Sequence, residues 1–243
     1  MKLSTTLVAL TLVVVPTTAV LAATAAGSTT VARYSFDGGV AAGGTIAELS
    51  GRGVPLKVRS AAGGTVRLVA HGTGRALAFP ARCPIGTTTT TCPRAILEGG
   101  DDADLDPGSR SFRYGAWLKA TAAQVGAAAN VMQKGVATAD SQWKLQISGT
   151  GRAQCVVVGK GSTRIYLAKS DIAVTNGAWH QVTCQRISTG LHVFVDGKAR
   201  GSVAVPSTAV IDNALPLRLG ARNLNDLSDQ YGGLIDDVYF TLD

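Results

Sequence analysis

The stretch "HVFVDGKARG", residues 192–201, reads as two short strands closed by a two-residue turn. Side chains alternate along a strand, so Leu191, Val193 and Val195 take one face and His192 and Phe194 the other. Asp196-Gly197 supplies two residues that tolerate positive φ, as a type I′ turn demands. Pairing outward from the turn sets Phe194 opposite Ala199 and Val195 opposite Lys198. In this setting Asp196 reads as a turn residue, not as a catalytic carboxylate.

The same grammar runs along the chain on both sides of the hairpin. Strand-like segments stand at 31–36, 54–60, 65–70, 75–79, 111–120, 130–135, 142–148, 153–159, 163–169, 178–187, 215–221 and 232–240, with Gly, Pro, Asp or Asn between them. No stretch beyond the N-terminal apolar run holds a 3.6-residue apolar period over three turns. Many short strands with frequent turn signals predict a sandwich or barrel. No fixed repeat marks a propeller or solenoid. The segment Arg82–Pro107 carries Pro, Thr and acidic residues, and reads as an ordered excursion from the strands.

Composition bounds the class. Apolar residues make up 46% of 243, enough for a core, and 29 glycines suit many turns. Lys2, the apolar run 7–22 and the small residues of "AATAAG" have the order of a secretory signal peptide, with cleavage after Ala25. Pro16, Thr17 and Thr18 interrupt the apolar run, which argues against an uncleaved membrane anchor. Residues 26–243 then form one β domain, expected to be extracellular, with no membrane span after leader removal. The formal charge of +7 is spread singly over strands and turns, with no basic run and no recognition motif, so nucleic acid is not expected as a partner.

Four cysteines in an exported chain read as two disulfides. Three connectivities exist. Cys83 and Cys92 share one short loop and are expected to pair, which leaves Cys155 with Cys184, expected to tie adjacent strands. A zinc site is the alternative, but there is no C-x-x-C pair and only three histidines.

Four segments carry a resemblance: "RYSFDGGVAAGGTIAELSGRG" (33–53), "LDPGSRSFRYGAWLK" (105–119), "GAWHQVTCQRISTGLHVFVDGKARGSV" (177–203) and "LRLGARNLNDLSDQYGGLIDDVYF" (217–240). In order and spacing they resemble the laminin-G-like jelly-roll family of the concanavalin A-like lectin/glucanase superfamily. The resemblance implies an all-β fold, a two-sheet antiparallel β-sandwich, with the opening and closing strands as antiparallel neighbours. Trp117, Trp179 and His180 then read as framework: buried aromatics beside a satisfied histidine.

The superfamily's glucanases carry Glu-x-Asp-x-x-Glu on one strand, because retaining hydrolysis needs two carboxyls close together on one face. This chain has only Glu48 and Glu98, fifty residues apart, and no G-x-S-x-G elbow. Asp101-Asp102 and Asp236-Asp237 are adjacent pairs, which point to opposite faces of a strand. A catalytic role is therefore not expected. The acidic run 98–108 has Asp102, Asp104 and Asp106 at calcium-loop spacing, but Pro107 and Arg113 stand where Gly and Glu are needed, so it reads as a solvated loop. Resemblance alone implies one structural Ca²⁺ held by Glu48, the Ser50 carbonyl and Asp236. Glu48 replaces the family's Asp there, and Arg52 replaces its Asn, placing a cation beside the site. No other cofactor is expected.

The expected function is a secreted, non-catalytic module that binds carbohydrate or another extracellular surface. A structural or protein-interaction domain is the alternative, and a polysaccharide hydrolase or lyase a third. Glycan binding needs exposed aromatics, for which Trp143 and Tyr166 are the candidates. Oligomeric state is not legible.

Overall fold

The computed structural model describes residues 27–84 and 86–243. The expected leader, 1–25, lies outside the described residues. Sixteen strands follow one another: β1 Thr29–Tyr34, β2 Thr45–Ile46, β3 Leu56–Ala61, β4 Arg67–His71, β5 Gly74–Ala78, β6 Arg94–Glu98, β7 Phe112–Thr121 and β8 Ala128–Gly135. Then come β9 Gln142–Ser148, β10 Arg152–Val158, β11 Ile165–Ala173, β12 Asn176–Ile187, β13 Gly190–Val195, β14 Lys198–Ala204, β15 Leu217–Leu219 and β16 Leu234–Leu242. Among the described residues, one short α-helix, α1 (Ala122–Val125), and a single 3-10 turn, Ala103–Leu105, interrupt them. No helix among the described residues is long and apolar enough to cross a membrane.

The strands form two antiparallel sheets. The first runs β14-β13-β12-β7-β16-β5-β4, with β1 also paired to β16; the second runs β11-β10-β9-β8-β15-β6-β3-β2. The hairpin has the expected register, Phe194 opposite Ala199 and Val195 opposite Lys198. Asp196 and Gly197 sit at φ 51° and 73°, as its turn requires. The predicted meeting of the chain ends is present too: Thr29 lies opposite Leu242 and Tyr34 opposite Val238.

Alternation decides what the sandwich buries. In β7, Phe112, Tyr114, Ala116 and Leu118 point between the sheets. In β9, Trp143, Leu145 and Ile147 do the same from the opposite sheet. The two layers meet through rings, with Trp143 4.9 Å from both Tyr114 and Phe240. Trp143 is fully buried, and its indole N–H donates to the Leu105 carbonyl at 2.9 Å. It is therefore a core residue and not an exposed platform, because its strand turns that face inward.

Other expectations need correcting. The excursion 82–107 contains β6, which lies between β15 and β3 in the second sheet. The acidic run is only partly solvated. The Asp106 carboxylate holds the ammonium of Lys134, fully buried in β8, at 2.7 Å, and Asp101 adds a second contact at 2.9 Å. Burial pushes the Asp106 carboxyl up, and Lys134 counteracts this. Both expected disulfides are present, Cys83–Cys92 and Cys155–Cys184. The second does not tie adjacent strands. Cys155 is on β10 of the second sheet and Cys184 on β12 of the first, so the bond crosses the core.

Candidate functional site

The residues of the first sheet that point away from the core build an open face. From β7 these are Arg113, Gly115, Trp117 and Lys119; from β12 they are Trp179, Gln181, Thr183 and Gln185. Trp117 lies opposite Gln181 on one side and Asp236 on the other; Gly115 lies opposite Thr183 and Tyr239. Phe194 of β13 lies opposite Thr183.

At the centre, the hydroxyls of Thr183 and Tyr239 are 2.7 Å apart across Gly115. A Cβ on Gly115 would come within 3.1 Å of that tyrosine oxygen and 2.3 Å of the Val182 carbonyl, so only glycine leaves the floor this low. Above it is a groove of about 380 Å³, lined among others by Arg113, Gln181, Gln185, Phe194 and Tyr239. The Arg113 guanidinium is neutralised by Asp243, with nitrogens at 2.6 and 3.1 Å from its carboxylate. Burial raises the Tyr239 hydroxyl, against the lowering effect of its bond to Thr183. The phenol therefore stays protonated and can both donate and accept.

The groove leads to an aromatic cluster. His71, at the end of β4, stacks on Trp179 with ring centroids 3.9 Å apart and meets Trp117 edge-on at 6.2 Å. His71 Nδ1 is 2.6 Å from the Asp236 carboxylate. Burial raises the Asp236 carboxyl, while His71 and the Asp237 amide pull it back. Trp117 and Trp179 are thus only half-buried and face outward, which corrects the expectation that they belong to the core. His180 is satisfied as expected: its Nδ1 lies 2.8 Å from Asp196 and its Nε2 3.0 Å from Asn176. Asp196 is therefore also a clamp on β12, accepting from the Gln181 amide at 2.9 Å.

The remaining predicted residues lie elsewhere. Glu48 accepts from the backbone amides of Arg33, Ser50 and Gly51 at 2.7 to 2.9 Å, and so pins its own turn to β1. Among the described residues it shares no hydrogen-bond or ion-pair partner with Asp236, whose carboxylate is turned to His71. Among the described residues no group of three or more His, Cys, Asp or Glu converges to hold a metal. Glu48 and Asp236 thus stand in two separate hydrogen-bond networks, Glu48 with the amides of Arg33, Ser50 and Gly51 and Asp236 with His71 and the Asp237 amide. Tyr166 sits on β11, the edge strand of the second sheet, beside a different surface depression.

A laminin-G-type family model, described as the concanavalin A-like lectin/glucanases superfamily, matches residues 99–241. No curated protein matches the chain. Among solved structures, domain 4 of AbnA, an extracellular GH43 arabinanase from Geobacillus stearothermophilus, in complex with arabinotriose, is similar at TM-score 0.66. It is 16% identical, over 88% of this chain and 93% of that one. The receptor-binding domain of botulinum neurotoxin D is similar at TM-score 0.61 and 13% identity, over 87% of this chain and 48% of that one. The binding domain of Paraclostridial Mosquitocidal Protein 1 follows at 0.59 and 12%, over 87% and 48%. At these identities the likeness is one of fold.

Proposed function

The chain belongs to the concanavalin A-like lectin/glucanases superfamily, and from that premise we propose that it is a secreted, non-catalytic module that binds a neutral glycan on the outer face of its first sheet. The observation that carries this reading is the row of outward aromatics, Trp117, Trp179, Tyr239 and Phe194, interleaved with Gln181 and Gln185. Among the described residues, neither glutamine side chain and neither indole N–H is used by a hydrogen bond within the chain. Sugars present apolar C–H faces and a rim of hydroxyls, so stacking rings beside free amides suit them. The Arg113–Asp243 pair leaves no uncompensated charge in the groove, which favours an uncharged ligand. The arabinanase domain was solved with an oligosaccharide of neutral pentoses, in keeping with this choice. Hydrolysis is left out because, among the described residues, the carboxyls beside this face are paired: Asp236 with His71 at 2.6 Å and Asp243 with Arg113 at 2.6 Å.

Titration calorimetry against neutral oligosaccharides, arabinan fragments included, tests the reading. Trp117→Ala and Trp179→Ala are each expected to weaken binding about ten-fold, the loss of roughly 1.4 kcal/mol. No binding to any neutral oligosaccharide, or binding that both variants leave intact, overturns it. Release of reducing ends from the same ligands would overturn the non-catalytic part alone.

A further inference from the structure

A second surface, away from that face, is built differently. Between β11 and the chain that follows β14, two depressions of about 660 and 260 Å³ straddle a ridge made of Tyr166 and Pro206, which line both. Each contains one cation. Arg164 sits over the Tyr166 ring, 5.1 Å from its centroid, and has no carboxylate partner among the described residues. Lys160, on the other side, is held by Asp212 at 2.7 Å.

A third cation lies beneath the ridge. Arg186 alternates inward from β12 with Val182 and Cys184 and is 1% exposed. Its Nη2 donates to the Pro206 carbonyl at 2.7 Å. Its Nη1 is buried without any partner, and no carboxylate pairs with it among the described residues. A buried charge left without a counter-ion is expensive for a fold to keep. Its field is poorly screened by the surrounding protein and emerges under the ridge.

The walls carry hydroxyls, at Ser188, Thr189, Ser207 and Thr208, none of which bonds within the chain among the described residues. Donor-acceptor hydroxyls around a ring fit a polyhydroxylated ligand, and two uncompensated guanidiniums ask for an anion. Two depressions on either side of one ridge suit consecutive units of a chain molecule. We infer that this groove is a second binding site, for an acidic oligosaccharide whose carboxylate meets Arg164 while its ring packs on the Tyr166–Pro206 ridge. It does not depend on the reading of the first sheet.

The test uses the whole secreted chain and a tri-uronate oligosaccharide, with its carboxyl-reduced neutral counterpart, in titration calorimetry. The tri-uronate should bind at least ten-fold tighter than the reduced sugar, and 0.5 M salt should erase most of the difference. Arg164→Gln and Tyr166→Ala should each weaken the tri-uronate about ten-fold, while Trp117→Ala leaves it unchanged. Arg186→Met, which keeps the buried volume, should lower affinity for the tri-uronate without lowering the melting temperature. Equal affinity for both sugars, no binding of the tri-uronate, or binding lost with Trp117 and kept with Arg164→Gln overturns the site.

Discussion

Lys134 is fully buried, and Asp106 is its closest carboxylate. Removing one member of such a pair strands the other charge, which costs about 3 to 5 kcal/mol. Asp106→Ala should therefore lower stability in urea denaturation, by less than that amount because Asp101 keeps its contact with the ammonium. Lys134→Met combined with Asp106→Asn should cost clearly less than Asp106→Ala alone; equal costs would mean the two groups do not interact. The tryptophans show how much of this scale was legible. In "QWKLQIS", Trp143 alternates with Lys144 and Gln146 and shares its face with Leu145 and Ile147, so its burial is written in the strand. In "FRYGAWLKA", Trp117 shares its phase with Arg113 and Lys119, which puts it outside. Counting aromatics misleads here; reading their phase does not. Nothing in the local sequence, by contrast, says that His71 reaches across to Asp236 or that Lys134 meets Asp106, because those contacts join segments 165 and 28 residues apart.

At the scale of elements, the loop between β15 and β16 is held from within by Asp226. Its carboxylate accepts from Ser228, Arg222 and Asn223. Burial alone would raise this acid, but those bonds outweigh it and hold the carboxyl well below the usual range. A depressed carboxyl stabilises the fold above its unfolded value, about 3.9, and that contribution is lost as pH falls from there through the lower folded value. Stability measured from pH 5 downward should therefore fall less steeply in Asp226→Asn than in the wild type, and the two curves should differ most near pH 5. Superimposable curves would exclude the loop as an acid-labile element. β16 matters more broadly, since it pairs with β1, β5 and β7 at once. It buries Ile235, Val238 and Phe240, worth roughly 1.5 to 3 kcal/mol each. That sum rivals the roughly 5 to 15 kcal/mol of a whole domain. Deleting 234–243 should give a molten or insoluble chain that binds a hydrophobic dye; a cooperative melting transition would refute this.

For the whole molecule, a sandwich or barrel was readable from turn chemistry and alternation, its two-sheet form only from the family resemblance, and the cysteine pairs from their spacing. Which sheet each strand joins was not, because strand order across a sheet is set by long-range packing and leaves no local mark. Hence β10 and β12 look like neighbours in sequence yet face each other across the core, joined by Cys155–Cys184. Closing that loop contributes about 3 to 4 kcal/mol in the chain-entropy treatment. Cys155→Ala with Cys184→Ala should lose about that much, whereas opening Cys83–Cys92 should leave the sheets in register; near-equal melting temperatures for the double variant and wild type would contradict the cross-core role.

The pairing of Thr29 with Leu242 has a mechanical meaning. The two ends of the domain lie side by side at the same end of an antiparallel ladder. Tension applied between them does not load all the bonds of β1 and β16 together, as it would if the strands were pulled lengthwise past each other. It opens the ladder one rung at a time, from Thr29 toward Tyr34, like a zip. A module tethered on both sides would yield at its seam under small forces. One tethered on a single side would leave the seam unloaded and keep both sheet faces intact.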